Sequence, residues 1–202
     1  YPLRLAAGIL YQKVDIEDWL LQNKRHFPHS ESEIQIVLQQ LEKGHKPIRT
    51  SSCGRVLDAV AAVLGTCFER TYEGEPAMKL ESTAIKGKNV LGLKPIVKSN
   101  TLDTTEMLLG IFEKRQRYSK ADLAYSAHAY LANGLAALAI GKATENNIKS
   151  IGFSGGTACN EILALTMRKI VESAGLRFLV NEAVPPGDGG LSFGQAVVGG
   201  FF

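Results

Sequence analysis

The spacing of apolar residues predicts a largely helical first part of the chain. Apolar side chains recur three and four positions apart in several segments, the pattern of helices that bury one face. Stretches that contain Gly, Pro or polar capping residues separate these segments, as expected at helix ends. The predicted helices cover residues 3–11, 15–21, 30–43, 55–66 and 75–83.

Residues 88–103 show a different pattern. Apolar and β-branched residues occur there in two short clusters, at 89–91 and 96–97, which Gly92 and Pro95 interrupt. Such clusters indicate strands joined by tight connections.

Helices and strands alternate in the second half of the chain. Its second helix is almost wholly Ala and Leu, so we expect it to be buried on most faces. The later strand–helix–strand–helix order is typical of an α/β fold with a central, mostly parallel sheet flanked by helices. The predicted helices are 104–116, 120–141, 158–174 and one starting near 191, and the strands are 148–153 and 176–180.

This order divides the chain into two parts. Residues 1–88 form a mainly helical part, and residues 89–202 form an α/β part. We expect the two parts to belong to one lobe, to which the helical part is an added segment.

Composition and charge exclude several classes of protein. The chain has 202 residues, of which 45% are hydrophobic and 21% charged, with a net charge of +3. These values do not fit disorder, collagen or a strongly basic nucleic-acid tail. No uninterrupted apolar run reaches the roughly 18 residues of a membrane span, so we do not expect a membrane as a partner. Because the net charge is small, we do not expect nucleic acid as a partner either. Because the chain begins at Tyr1 rather than Met, we expect a piece of a longer protein.

The cysteines predict reduced thiols. Cys53, Cys67 and Cys159 lie far apart, are odd in number and form no C-x-x-C motif. This usage fits neither a disulfide framework nor a zinc knuckle and favours a cytoplasmic location.

A glycine turn lies between a predicted strand and a predicted helix. In Ser154, Gly155 and Gly156, the glycines allow a sharp turn that brings N–H groups and the following helix dipole near an anion. The sequence matches neither a G-x-G-x-x-G motif nor a Walker motif, and an ordinary tight turn is the alternative. Asn160 is predicted one turn into the helix. Its amide either points back toward the anion position at the glycine turn or is an ordinary exposed side chain.

A second glycine-rich loop carries an aspartate. Asp188 stands between Gly187 and the pair Gly189 and Gly190, at the end of a predicted strand region. Such a carboxylate can bind a cation or a metal-bound phosphate, and an ordinary Asp-Gly turn is the alternative.

Asp58 is the third candidate. It is the only charged residue between Arg55 and Glu69, on a helix otherwise suited to burial. A buried carboxylate needs a partner, and either a sugar diol or Arg55 three positions earlier provides one.

Five segments in this order resemble the carboxyl-terminal lobe of the Kae-like domain of HypF, the hydrogenase-maturation carbamoyltransferase family. The resemblance extends nearly end to end, and it reaches the antibiotic O-carbamoyltransferases and, more distantly, the tRNA threonylcarbamoyl-transfer enzymes. It implies an actin/sugar-kinase/heat-shock ATPase-like lobe. The segments are YPLRLA (1–6), TSSCGRVLDAVAA (50–62), TYEGEPAM (71–78), SGG (154–156) and VPPGDGGLSFGQA (184–196).

The resemblance also implies a function. Proteins of this family use carbamoyl phosphate and ATP to make carbamoyl-adenylate. They transfer the carbamoyl group to the carboxyl-terminal cysteine of HypE during maturation of nickel–iron hydrogenase. This chain would be the nucleotide-binding lobe, would act with the upstream HypF domains and would be inactive alone.

The site residues follow from the same resemblance. Ser154, Gly155 and Gly156 would line the ATP or AMP phosphates, and Asn160 would contact the nucleotide. Asp188 would be a ligand of a divalent iron or zinc ion. Asp58 would hold the ribose together with the segment Tyr72, Glu73, Gly74 and Glu75, and Gly54 would also belong to the nucleotide-binding residues.

The family's H-x-x-x-H metal ligands are absent from this chain, so a metal is expected only together with the other lobe. His26, His29, His45 and His128 do not have that spacing. His128, on an Ala-rich helix, is more simply a core or lining histidine.

Two other functions remain open at this point. One is a non-catalytic, nucleotide-binding scaffold. The other is a sugar- or acid-kinase relative that transfers a phosphoryl group on the same type of fold.

Overall fold

The computed structural model describes residues 1–44 and 50–201, so the candidate His45 lies outside the described residues. The chain divides into two compact units. Unit 1 comprises Tyr1–Leu93 and Thr104–Ala127, and unit 2 comprises Lys94–Asp103 and His128–Phe202. The division predicted between residues 88 and 89 differs from these units, because residues 104–127 pack within unit 1.

Unit 1 is helical, as the apolar spacing predicts. Its helices begin and end within a few residues of the predicted bounds. They are α1 (Pro2–Leu10), α2 (Glu17–Gln22), α3 (Ser30–Glu42), α4 (Cys53–Val63), α5 (Glu75–Ala84), α6 (Thr105–Lys114) and the first part of α7 (Lys120–Glu145).

Helix α4 is the centre of unit 1. It packs against α1, α5 and α6, and every residue from Leu57 to Val63 is buried. Helices that are covered on all sides need apolar residues on all sides, which the Ala- and Val-rich sequence provides. Asp58 is the one charged residue in this buried run.

Unit 2 begins with a tight hairpin. Strands β1 (Ile96–Lys98) and β2 (Thr101–Asp103) pair antiparallel, with Lys98 opposite Thr101. The two connecting residues, Ser99 and Asn100, have φ values of 48° and 63°. Two left-handed residues form the type I′ turn that suits the twist of a hairpin, so the predicted tight connection is confirmed here.

The predicted strand at 89–91 is wrong. The N–H groups of Val90 and Leu91 donate to the hydroxyl oxygen of Ser126, at 3.1 and 3.3 Å. Because a side chain on α7 satisfies these donors, they do not take part in a strand ladder.

The rest of unit 2 has the predicted strand–helix–strand–helix order. Strands β3 (Ser150–Phe153) and β4 (Arg177–Val180) pair in parallel, with α8 (Glu161–Ser173) between them in sequence and α9 (Leu191–Phe201) last. The α/β class is therefore confirmed. The central, mostly parallel sheet is not, since the described residues form two separate two-stranded sheets, of which only β3–β4 is parallel.

Helix α7 has the length and apolar composition of a membrane span, the only described helix that does. Of its most apolar window, 61% is buried inside the protein. Core helices also have this composition, and the burial agrees with the expectation from its Ala- and Leu-rich sequence.

Two glycine-to-alanine substitutions in unit 1 should change stability in opposite directions. A methyl group at Gly87 would overlap the carbonyl oxygen of Ala121, so Gly87→Ala should destabilise the fold by about 1–3 kcal/mol. Gly8, within α1, has open space around it, and Gly8→Ala should stabilise by about 1 kcal/mol through helix propensity. Urea unfolding of both variants measures this, and equal effects would contradict the packing at Gly87.

Candidate functional site

The glycine turn, residues 154–156, is held by the second glycine-rich loop. The hydroxyl of Ser154 donates a hydrogen bond to the carbonyl oxygen of Pro186 at 3.3 Å. The N–H of Gly155 donates to the same oxygen at 2.7 Å. The two motifs, more than 30 residues apart in sequence, therefore lie side by side within unit 2.

Glycine is required in both loops by the backbone. Gly155 has φ 96° and ψ 172°, a region that essentially only glycine adopts. Gly187 lies against Gly156, since a methyl group at Gly187 would be 3.7 Å from the Gly156 Cα. A methyl group at Gly190 would overlap the carbonyl oxygen of Pro185. Glycine is therefore required at 155 by its backbone conformation and at 190 by the Pro185 carbonyl, whereas a methyl group at Gly187 would make an ordinary van der Waals contact with the first loop.

A groove of about 660 Å³ runs along these loops in unit 2. One wall is formed by the loops, at Ser154 and Pro186, and the other by α9, at Leu191 and Val198. A recess of about 790 Å³ lies in unit 1, but no predicted site residue lines it. The groove in unit 2 thus lies at the two glycine-rich loops, and Ser154 is the predicted site residue that lines it.

Helix α8 does not begin at the glycine turn. A 3-10 helix (Gly156–Cys159) comes first, and α8 starts at Glu161. Since the effect of a helix dipole falls off within the first turn, the expectation that the α8 dipole acts directly at Gly156 is wrong.

Asn160 caps α8 rather than lying one turn inside it. Its Oδ1 accepts a hydrogen bond from the Leu163 N–H at 3.0 Å, and its Nδ2 lies 3.1 Å from Nε2 of His128. Both side chains are buried, so His128 is the core or lining histidine that the sequence suggests. The contact of Asn160 with a nucleotide stays a prediction.

Asp58 has the protein partner that the sequence allows. Its carboxylate is buried, and Oδ2 accepts a hydrogen bond from Nη1 of Arg55 at 3.1 Å. Burial raises the pKa of Asp58, while the charges of Arg55 and Arg70 act in the opposite direction. Gly54, in the first turn of α4, has only the Ser52 hydroxyl near the position of a side chain, so neither space nor backbone conformation requires glycine there.

Glu75 closes the loop that precedes α5. Oε1 accepts a hydrogen bond from Nζ of Lys79 at 2.7 Å, and Oε2 accepts from the N–H and hydroxyl of Thr71 at 2.6 and 2.8 Å. These bonds, that from Lys79 first, lower the pKa of Glu75 to about 2. Gly74, with φ 79°, provides the left-handed residue before the helix. Both residues thus have a local structural role, and their ribose contacts stay predictions.

A metal does not fit the described residues by themselves. Asp188 is exposed at the start of a short 3-10 helix (Asp188–Gly190). Among residues 1–44 and 50–201, no group of three His, Cys, Asp or Glu side chains is placed to hold a metal ion. Asp188 can therefore supply one ligand, and the others would have to come from elsewhere.

Burial disfavours the thiolate form of both cysteines in unit 1. It raises the pKa of Cys53 to about 11 and also raises that of Cys67. Because only the thiolate attacks efficiently, burial lowers the reactivity of these two side chains at neutral pH.

Three of these interactions are not predicted by the sequence analysis above. The Pro186 carbonyl carries no signal, because any residue has a carbonyl group. Arg70 is one of many charged residues in the sequence, and only the fold brings its charge close enough to affect Asp58. The pairing of His128 with Asn160 joins residues 32 positions apart, although an Asn directly before an acidic helix start is a recognisable N-cap signal.

The fold and the loops define the class of protein. A family model described as "Carbamoyltransferase, Kae1-like Domain, second subdomain" matches residues 1–195. The chain therefore belongs to this family of Kae1-like carbamoyltransferase domains.

The relatives are HypF proteins. The chain is 39% identical over 198 residues to the "Probable carbamoyltransferase HypF" of Methanocaldococcus jannaschii. The aligned residues make up 98% of this chain and 26% of the relative. It is 36% identical over 166 residues to the carbamoyltransferase HypF of Rhodobacter capsulatus, 81% of this chain and 21% of the relative. The chain thus spans about a quarter of the length of these proteins.

Two solved structures agree. The crystal structure of T. kodakarensis HypF matches with a TM-score of 0.84 and 42% identity, covering 99% of this chain and 27% of that one. A full-length HypF in its phosphate- and nucleotide-bound form matches with a TM-score of 0.81 and 27% identity, covering 96% of this chain and 26% of that one. The resemblance to the carboxyl-terminal lobe of the Kae-like domain of HypF is confirmed.

Glu75 should make stability depend on acid pH. Because its folded pKa lies near 2 and its ordinary value is 4.5, its contribution is complete above the ordinary value and is lost as the pH falls toward 2. Wild type should therefore lose more unfolding free energy between pH 5 and pH 3 than Glu75→Gln. Urea unfolding at both pH values tests this, with the exposed Glu31→Gln as the control that should follow wild type.

Asp58 should contribute little to stability at neutral pH. Because burial raises its folded pKa, the ionised form is disfavoured in the fold, and wild type gains stability relative to Asp58→Asn as the pH falls through that pKa. At pH 7, Asp58→Asn should leave the unfolding free energy unchanged or higher. A large loss of stability at pH 7 in urea unfolding would show that the ion pair with Arg55 dominates instead.

Proposed function

We propose that this chain is the nucleotide-binding carboxyl-terminal lobe of a cytoplasmic carbamoyltransferase, with an actin/sugar-kinase/heat-shock ATPase-like fold. The observation that carries the proposal is the contact of the two glycine-rich loops at the Pro186 carbonyl. This contact gives unit 2 an open, glycine-lined surface of the kind that binds phosphate.

The phosphate donors follow from the hydrogen bonds of the turn. The Gly155 N–H is already used by Pro186. Gly156 and Thr157 begin the 3-10 helix, and the first N–H groups of a helix have no acceptor within it. These two N–H groups are therefore the proposed phosphate donors. A similar full-length HypF has a phosphate- and nucleotide-bound form, which supports nucleotide binding as such.

The reaction is proposed from the family. Carbamoyl phosphate, ATP and water give carbamoyl-adenylate, phosphate and pyrophosphate in the whole enzyme. The cysteine thiolate of HypE then attacks the carbonyl carbon of carbamoyl-adenylate. A sulfur–carbon bond forms, the bond from that carbon to the phosphate oxygen breaks, and AMP leaves with the electron pair. The part proposed for this chain is to bind the AMP phosphate, whose charge the backbone N–H groups stabilise as it leaves.

The ribose assignments of unit 1 rest on the resemblance. Asp58 holds Arg55 through Oδ2, and Oδ1 is the proposed acceptor for a ribose hydroxyl. A carboxylate whose burial raises its pKa is costly to keep for stability alone, which favours a ligand-binding role. Glu75, with Gly74, is proposed to shape the loop on the ribose side, and Gly54 to leave space for the sugar.

Catalysis is proposed to need the rest of the enzyme. The described residues do not complete a metal site, and the thiol nucleophile belongs to the partner. The isolated chain should therefore bind nucleotide without turnover, which is how the scaffold alternative would behave too. The family match favours carbamoyl transfer over the phosphoryl transfer of a kinase relative.

Calorimetric titration with AMP tests the proposal. Gly155→Ala should weaken AMP binding about tenfold or more, since strain in this backbone region costs about 1–3 kcal/mol. Gly152→Ala is the matched control, because this glycine of β3 has open space around it and no positive φ. Asp58→Asn should also weaken binding, by the loss of a charged hydrogen-bond partner.

The outcomes separate the two halves of the proposal. Weakening by Gly155→Ala but not by Asp58→Asn would retain the phosphate turn and reject the ribose assignment. Equal AMP affinities for wild type, Gly155→Ala and Gly152→Ala would reject the phosphate turn.

A further inference from the structure

A buried histidine on α7 contacts the segment that follows the glycine turn. His128 is 0% exposed and Asn160 is 6% exposed. Nε2 of His128 lies 3.1 Å from Nδ2 of Asn160. Both residues belong to unit 2, and the reaction proposed above gives His128 no part.

The hydrogen-bond partners determine the form of the imidazole. The Leu163 N–H can only donate, so the Asn160 atom that faces it at 3.0 Å is Oδ1. The other end of the amide is then Nδ2, which can also only donate. Nε2 of His128 must therefore accept, and the hydrogen of the neutral ring is on Nδ1.

Asn160 connects the glycine turn to α8. Its backbone N–H donates to the carbonyl of Thr157 in the 3-10 helix at 3.1 Å, and its own carbonyl accepts from Ala164 of α8 at 2.9 Å. Its side chain caps α8 at Leu163. The orientation of the Asn160 amide thus affects both the end of the turn and the start of the helix.

We propose that His128 is a positioning residue for the phosphate-binding turn. Its Nε2 orients the Asn160 amide, and Asn160 holds residues 156–160 in the shape that presents the Gly156 and Thr157 N–H groups. A buried site that required only volume would be filled by an apolar side chain at lower desolvation cost. The effect on phosphate rests on the proposed function, whereas the effect on the cap of α8 does not.

Variants of His128 separate positioning from packing. His128→Leu fills the buried position with an apolar side chain and removes the hydrogen-bond acceptor. His128→Gln provides an acceptor oxygen again. Tyr130→Phe is the matched control on the same helix. The buried Tyr130 hydroxyl bonds Ile96 and Asp103, away from α8, so its loss lowers stability without touching Asn160.

Two measurements on the whole chain give the readouts. Amide hydrogen exchange of Leu163 should be at least about tenfold faster in His128→Leu and in Asn160→Ala, because the cap bond is weakened. In His128→Leu the AMP dissociation constant should rise about tenfold, while that of adenosine, which has no phosphate, should not change. His128→Gln should restore both values, and Tyr130→Phe should alter only the melting temperature.

The pair should also act as one element. Adding His128→Leu to Asn160→Ala should change neither readout further, since coupled residues are not additive. If His128→Leu matches Tyr130→Phe in both readouts, His128 is a packing residue and the proposal is wrong. If wild type binds no AMP, the proposed function fails, and exchange at Leu163 alone decides whether His128 positions Asn160.

A measurement on the unaltered protein tests the proposal even if the variants do not fold. Nitrogen NMR of the His128 ring should show Nε2 without hydrogen and Nδ1 protonated. A hydrogen on Nε2 would exclude the bond from Asn160 and overturn the proposal.

Discussion

The carbonyl oxygen of Pro186 accepts two hydrogen bonds from the glycine turn, one from the Ser154 hydroxyl and one from the Gly155 N–H. The phosphate site proposed for unit 2 depends on this contact. It places the turn beside the loop that carries Asp188. It also uses the Gly155 donor, so that the proposed phosphate contacts fall to the next residues, Gly156 and Thr157. Glycine is required at 155 by its backbone conformation and at 190 by the nearby Pro185 carbonyl.

Asp58 and Glu75, the two predicted carboxylates of the ribose side, have hydrogen-bond partners within the protein. Within residues 1–44 and 50–201, no buried side-chain nitrogen or oxygen lacks a hydrogen-bond partner. Glu75 bonds Thr71 and Lys79, and Asp58 bonds Arg55. Since an unsatisfied buried polar group costs about 1–3 kcal/mol, these partners make the burial of both carboxylates less costly.

The two carboxylates illustrate different relations between stability and function. Hydrogen bonds from Lys79 and Thr71 lower the pKa of Glu75, so its charge stabilises the loop before α5. Burial raises the pKa of Asp58, which means that the buried position disfavours the charged form of this carboxylate. A residue kept at such a cost is a better candidate for ligand binding than one that stabilises the loop around it.

Local features of this protein were determined by the sequence alone. Helix periods, the α/β order and the need for glycine at 155 depend on neighbouring residues, because backbone conformation and amphipathic spacing are short-range properties. The five ordered motifs also sufficed to recognise the family. The sequence did not determine that residues 89–91 bond Ser126, that the strands form two small sheets, or that Asn160 pairs with His128. These depend on which distant groups meet, and only tertiary packing decides that.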